Sequence, residues 1–199
     1  MTMTGPLLAI LLQAAATPTP VVPKPAPPSP DAALARMVAL YDEVCLQTFP
    51  IDGGVDKLMA AKGATALTPE QVKVTLVDDP GRGWELEDGD RTLYVFLELP
   101  PFHACSVRRF FPDAIPDLGA YRVVADRFEA DHPSFAPVTP YNADRGDLHV
   151  HAVGEQRRLA GGGEDSLFVF DQHVIDPAKR AGGQTAVNLR FVHQIHTGP

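Results

Sequence analysis

The chain has 199 residues, 45% of them hydrophobic and 21% charged, a balance typical of a folded globular protein rather than a disordered one. Its formal net charge is −8, and no segment is enriched in Lys and Arg. This composition argues against nucleic acid or an anionic membrane surface as the partner, because both require clustered basic residues.

The first 30 residues predict export. An apolar run from Gly5 to Ala16 ends in three alanines, which is typical of a secretory signal, residues 1–16, although no Lys or Arg precedes it. The run is shorter than a membrane-spanning helix. Residues 17–30 contain seven prolines and favour an extended linker. We therefore expect a periplasmic or secreted protein without a spanning segment in its mature chain; the alternative is a signal retained as an anchor.

Residues 31–199 are long enough for one domain with a single core, and they begin with helical patterns. Ser29-Pro30-Asp31 is typical of a helix start, and apolar residues then recur at helical spacing up to Thr48. Phe49-Pro50 ends this helix, and Cys45 lies on its apolar stripe. A short helix is predicted at 54–62, and the spacing of Thr68 and Gln71 indicates a capping box at the start of another.

Strand patterns form two groups of three, separated by a helical pattern at 117–131. The predicted strands are 83–87, 92–99, 103–110, 147–153, 166–175 and 187–196. This order predicts an α+β fold with a largely antiparallel sheet of five to six strands in two meanders split by a helix. PAS-like and profilin-like proteins share this order of elements, which alone does not define a function.

Four short runs carry a resemblance to a known family: CLQTFP at 45–50, DPGRGW at 79–84, PPFHACSVRR at 100–109 and RFVHQI at 190–195. They resemble a family of exported proteins and lipoproteins of Gram-negative bacteria that has no assigned activity. The similarity covers most of the chain after the linker. It implies export and a shared fold, and this sequence departs from the family in lacking a lipid-attachment cysteine.

Two cysteines in an oxidising compartment predict one disulfide, Cys45 to Cys105, joining the first helix to the sheet. In a strand at 103–110, side chains alternate, so His103 and Cys105 share one face. An alternative is therefore a Cys105 nucleophile whose thiol is activated by the His103 imidazole. Two unpaired, buried cysteines are the third interpretation.

Histidines and arginines are the other candidate site residues. His149, His151 and His173 lie on neighbouring predicted strands, and an H-x-H pair with a third imidazole can hold zinc or copper. A core or edge role for each histidine is the competing interpretation. Arg82, Arg108 and Arg190 are candidates for binding an anion, because guanidinium groups bind carboxylates in a bidentate manner. Ion pairs with acids of the same chain are the alternative for these arginines.

Motifs of the common enzyme classes are absent, including G-x-S-x-G, H-E-x-x-H, a phosphate-binding Gly loop and C-x-x-C. We expect an exported binding or envelope-associated domain without catalytic activity or a cofactor, whose partner is a small molecule or an envelope protein. A metal-binding protein or hydrolase that uses His149, His151 and His173 is the alternative. A third hypothesis is a PAS-like sensor, which requires a closed apolar pocket between helix 117–131 and the sheet.

Overall fold

The structure is a computed structural model that describes residues 30–89, 91–112 and 114–197. The predicted signal, residues 1–16, and all but the last residue of the predicted linker lie outside these ranges. The α-helices in them, α1 to α5, are Pro30–Tyr41, Asp52–Ala61, Pro69–Leu76, Gly119–Asp131 and Pro177–Ala181. A π-helical segment, Asp42–Thr48, continues α1. None of the described helices is long and apolar enough to cross a membrane.

Phe49 and Pro50 end the π-helical segment and leave one of its carbonyl groups without a backbone donor. The amide of Phe49 donates to the carbonyl oxygen of Val44, five residues earlier, at 3.0 Å. The next residue, Pro50, has no amide hydrogen to donate to the carbonyl of Cys45. That carbonyl therefore requires a donor from another part of the fold.

Nine strands occur in the described ranges, and all of their pairings are antiparallel. In chain order, β1 to β9 are Thr65–Ala66, Gly81–Asp88, Arg91–Glu98, Phe102–Phe111, Ala136–Pro137, Tyr141–Arg145, Leu148–Arg158, Glu164–Val174 and Val187–His196. They form one sheet in the order β1-β2-β3-β4-β9-β8-β7-β5, and β6 also pairs with β7. The two predicted meanders, β2 to β4 and β7 to β9, are thus joined side by side through β4 and β9.

The α+β class and the largely antiparallel sheet are confirmed, but the predicted count of five to six strands is too low. The helix arrangement also differs, because α5 had not been predicted. The additional strands, β1, β5 and β6, contain two, two and five residues. The two-residue strands β1 and β5 are too short for any periodicity, and β6 is polar and mostly exposed, so it has no apolar alternation. All three are held by backbone pairing to longer neighbours.

The sheet has two different faces, because successive side chains of a strand point to opposite sides. We call the side that carries Val95, Cys105 and Phe191 the core face. It packs against α1, the π-helical segment and α4, and its residues are part of the main hydrophobic core. We call the other side the open face. Helix α3 packs against one end of it, where Val72 and Leu76 contact Phe96.

Candidate functional site

The two cysteines form the predicted disulfide, which joins the π-helical segment to β4. The Cα atoms of Cys45 and Cys105 are 5.3 Å apart, and both residues are fully buried. Because both sulfurs are bonded, this structure has no Cys105 thiol for the nucleophile hypothesis and no unpaired cysteine. Nε2 of His103, its proposed activating partner, instead lies 2.7 Å from Oδ1 of Asp52.

A buried ionic network that had not been predicted lies beside the disulfide. His193 of β9 is 2% exposed, and its Nε2 lies 2.9 Å from Oδ1 of Asp165 on β8. Arg157 of β7 donates to the other Asp165 oxygen at 2.8 Å. Burial raises the pKa of Asp165, but hydrogen bonds and charges from His193 and Arg157 outweigh it, so the net shift is downward.

The same imidazole supplies the donor that the π-helical segment lacks. Nδ1 of His193 lies 2.6 Å from the carbonyl oxygen of Cys45. A carbonyl oxygen only accepts hydrogen bonds, so Nδ1 is the donor in this contact. The network therefore fixes the π-helical segment on the sheet, and its polar groups are used for folding rather than presented to a ligand.

The three histidines of the metal hypothesis lie near one edge of the core face. The rings of His149 and His173 are 5.1 Å apart, and Nδ1 of His149 lies 2.8 Å from Oδ1 of Asp144. Nδ1 of His151 lies 2.8 Å from Oδ2 of Asp171. Within residues 30–89, 91–112 and 114–197, no group of three or more His, Cys, Asp or Glu residues is arranged to hold a metal ion. The histidine hypothesis remains a prediction.

The three arginines proposed for anion binding are divided between the two faces. Arg82 lies on the same side as Leu97 and Cys105, which is the core face. Its Nε and Nη2 donate to the two carboxylate oxygens of Asp56 at 2.7 and 2.9 Å. Arg82 is therefore already in a bidentate ion pair with an acid of its own chain.

Arg108 and Arg190 lie together on the open face. They are directly opposite each other in the register of β4 and β9, so their side chains emerge from neighbouring backbone positions. Both are partly buried, and each Nε is fully buried without a hydrogen-bond partner. Neither forms a salt bridge with an acid in the part of the chain that the structure describes.

Aromatic rings surround this arginine pair. Cζ of Arg108 lies 4.9 Å from the ring centroid of Phe96, and Cζ of Arg190 lies 5.5 Å from that of Phe170. The rings of Tyr94 and Phe110 lie 5.4 and 5.8 Å from Cζ of Arg108. Guanidinium groups stack favourably on such rings, so the rings orient the two cations without neutralising them.

The lowered pKa values of both arginines show that their charged forms are destabilised on the open face. Burial first, and then the neighbouring charge of Arg190, lower the pKa of Arg108 to about 10, although Tyr94 acts in the opposite direction. Burial also lowers the pKa of Arg190, although the field of Glu98 acts in the opposite direction. The pKa of Glu98 is itself raised by burial and by Asp79. An anion that bridged both guanidinium groups would relieve this unfavourable placement.

A cleft of about 230 Å³ lies between α4 and strands β7 and β8, the region where the sensor hypothesis requires a closed pocket. The cleft is partly open to solvent, and charged groups line it beside apolar ones; its residues include Tyr121, Arg122, Glu129, Val153, Glu155 and Val169. Nη2 of Arg122 lies 3.1 Å from Oε1 of Glu155. Burial, followed by the hydrogen bond and charge of Glu155, raises the pKa of Glu129 to about 7.

No family model, curated protein or solved structure that was compared with the chain matches it. The resemblance to exported proteins and lipoproteins therefore stays a prediction. The functional argument depends on the geometry of the chain itself, in which the arginine pair is a cluster of charges without a salt bridge to any acid in ranges 30–89, 91–112 and 114–197.

Proposed function

We propose that this chain is an exported, non-catalytic binding module, and that the arginine pair, Arg108 and Arg190, is its recognition site for an anionic group. One observation carries the proposal: two adjacent, partly buried cations lie without an ion-pair partner among the described residues. Unpaired buried charges reduce stability, and such residues are common where a ligand provides the missing partner.

Export is the second part of the proposal. The disulfide supports it, because such bonds persist mainly in the periplasm or outside the cell. Fractionation of expressing cells, followed by intact mass measurement with and without reduction, tests it. We expect a periplasmic or secreted product that lacks residues 1–16 and gains two hydrogens per molecule on reduction. An unprocessed, reduced chain in the cytoplasm would contradict export.

The anion site is tested by titrating the protein with sodium benzoate, sodium acetate and inorganic phosphate at constant ionic strength. The readout is the nitrogen-15 NMR signal of each arginine Nε–H group. We expect saturable shifts of the Arg108 and Arg190 signals, because an anion bound to a guanidinium group changes the environment of its Nε–H, which has no hydrogen-bond partner among the described residues.

The variants Arg108→Gln and Arg190→Gln should each abolish the shift of the remaining arginine of the pair. Arg127→Gln is the matched control, since Arg127 is exposed on α4 and paired with Asp42. Shifts that are equal for Arg127 and for the arginine pair, or that do not saturate with any of the three anions, would reject the site.

A further inference from the structure

The surroundings of the arginine pair indicate what kind of partner carries the anionic group. Three large aromatic side chains on the open face are substantially exposed: Phe102 at 45%, Phe110 at 42% and Tyr141 at 39%. The register places Phe102 and Phe110 on β4 with Arg108, and Tyr141 in the same cross-strand row as Phe170. Surfaces that combine exposed aromatic residues with central arginines are typical of protein interfaces.

Two glycines determine how the rings on this face are arranged. One cross-strand row reads Gly83, Phe96, Ser106, Val192, Phe168, Gly154 from β2 to β7. A Cβ at Gly83 would lie 2.9 Å from the Phe96 ring, and one at Gly154 would lie 2.3 Å from the Phe168 ring. Each ring therefore leans outward over a glycine, away from the central strands β4 and β9.

In the middle of the open face the short side chains between the outward rings are buried, with Ser106 and Val192 each 2% exposed, and the partly exposed groups there include the arginine pair. Ser106 and Val192 are the short residues of the two central strands in this row. From β2 to β7 the face spans six strands, or about 24 Å at the usual strand spacing. A surface of this width suits a segment of polypeptide, whereas a small ligand is normally buried in a concave pocket.

Charge distinguishes among the polypeptides that could cover the face. A second copy of the same face would bring four arginines together, which is unfavourable. The residues before α1 carry Lys24 as their only charged side chain and provide no carboxylate. A segment with acidic side chains supplies the two missing counterions, and its apolar side chains can contact the exposed aromatic residues.

We infer that the open face docks an acidic segment of a partner protein, with its carboxylates across Arg108 and Arg190 and its apolar side chains on Phe102, Phe110 and Tyr141. This inference rests on the proposed function, and it adds the class of partner. It requires that the three exposed aromatic side chains and the arginine pair bind the partner together, because a free anion contacts the arginine pair alone.

The experiment uses the full chain and two fluorescent, capped peptides, Gly-Glu-Phe-Glu-Gly and Gly-Gln-Phe-Gln-Gly. Anisotropy measures binding at constant ionic strength, and arginine Nε–H signals locate it. We expect the glutamate peptide to bind at least about tenfold more tightly than the glutamine peptide, benzoate or phosphate. Arg108→Gln and Arg190→Gln should each weaken it about tenfold, and Phe110→Ser about threefold, while Arg127→Gln has no effect.

The outcomes separate this inference from the proposed function. If benzoate or phosphate binds as tightly as the glutamate peptide, the anion site remains and the polypeptide partner is rejected. If neither peptide nor anion shifts the Nε–H signals of the pair, both proposals are rejected. Nε–H signals that already show a bound anion in the free chain would mean that the chain covers its own open face, which also overturns the inference.

Discussion

Two neighbouring residues of β4, Arg108 and Arg109, show how differently the two faces of the sheet treat the same side chain. Arg109 is 2% exposed on the core face and forms a salt bridge with Asp88, which Arg36 also contacts. Arg108, on the open face, has another arginine as its cross-strand neighbour. Burial lowers the pKa of both guanidinium groups, but only Arg109 has an acid, Asp88, that compensates its charge.

The comparison separates charges that stabilise the fold from charges that are available to a partner. On the core face, Asp165 is enclosed by His193 and Arg157, and Arg82 is paired with Asp56. A fold selected only for stability would treat both faces in this way, because an unpaired, partly buried cation is unfavourable. The open face departs from this rule at its centre, which is the physical basis for assigning recognition to it.

The largest effect is expected from Asp165→Asn on the core face. The substitution keeps the shape of the side chain but leaves the buried His193 and the half-buried Arg157 without their carboxylate. We expect the free energy of unfolding, measured with urea, to fall by about 3–5 kcal/mol. Asp126→Asn, at an exposed ion pair with Arg122, should change it by less than about 0.5 kcal/mol. A similar small value for Asp165→Asn would mean that the network does not support the fold.

Arg109→Met should destabilise the protein by a smaller amount, about 2–3 kcal/mol, because Asp88 loses one of its two cationic partners. Arg36 remains beside the carboxylate and limits the loss. Urea unfolding of the single variant and of Arg109→Met combined with Asp88→Asn checks this explanation. The double variant should recover part of the lost stability, and a purely additive loss would contradict it.

The matching substitution on the open face, Arg108→Met, should change the free energy of unfolding in the opposite direction. It removes a desolvated cation and its repulsion with Arg190, and the apolar side chain remains in contact with Phe96. We expect the free energy of unfolding to stay equal or to rise by up to about 1 kcal/mol. A loss as large as that of Arg109→Met would remove the distinction between the two faces, and with it the main support for a binding site.

Much of the architecture could be predicted because it depends on local patterns. Cys45 lies on the apolar stripe of a predicted helix, and export predicts an oxidising compartment, so the disulfide to Cys105 followed from one periodicity and a redox compartment. Alternation in the predicted strand 103–110 also places the successive residues Arg108 and Arg109 on opposite faces. In contrast, β1 and β5 are too short to show a pattern, and β6 is polar and mostly exposed. Helix α5 has a capping signal, Asp176 followed by Pro177, but is only five residues long.

The sites were harder to predict because they depend on register between strands far apart in sequence. His193 meets Asp165 and the Cys45 carbonyl across separations of 28 and 148 residues. The grouping of Arg82 with Arg108 and Arg190 failed to separate the two faces. The alternation of Trp84 and Leu86 with acidic residues places Arg82 on the apolar side of β2, but only the register relates that side to β4. One usable signal existed: Arg108 and Arg190 interrupt strands that are otherwise rich in apolar and aromatic residues.

The smallest predicted effect concerns two carboxyl groups on the core-face side of the sheet, Glu129 of α4 and Glu155 of β7. The pKa of Glu129 is raised to about 7 from an ordinary value near 4.5, by burial first and then by Glu155. The folded protein thus holds this proton more tightly, a stabilisation that is complete below about pH 4.5 and is lost as the pH rises through 7. The pKa of Glu155 is lowered, mainly by its hydrogen bond with Glu129, and its contribution is lost as the pH falls below about 4.5.

Glu129→Gln retains a donor for Glu155 but does not titrate, so its stability should match the wild type near pH 5 and exceed it at pH 8. Because Glu129 is partly exposed and lies near Arg122 and Asp126, we expect a difference below about 1 kcal/mol in urea unfolding. Equal pH profiles for the two proteins would show that the carboxyl pair does not share a proton, and that the core-face side, unlike the open face, has no uncompensated charge at neutral pH.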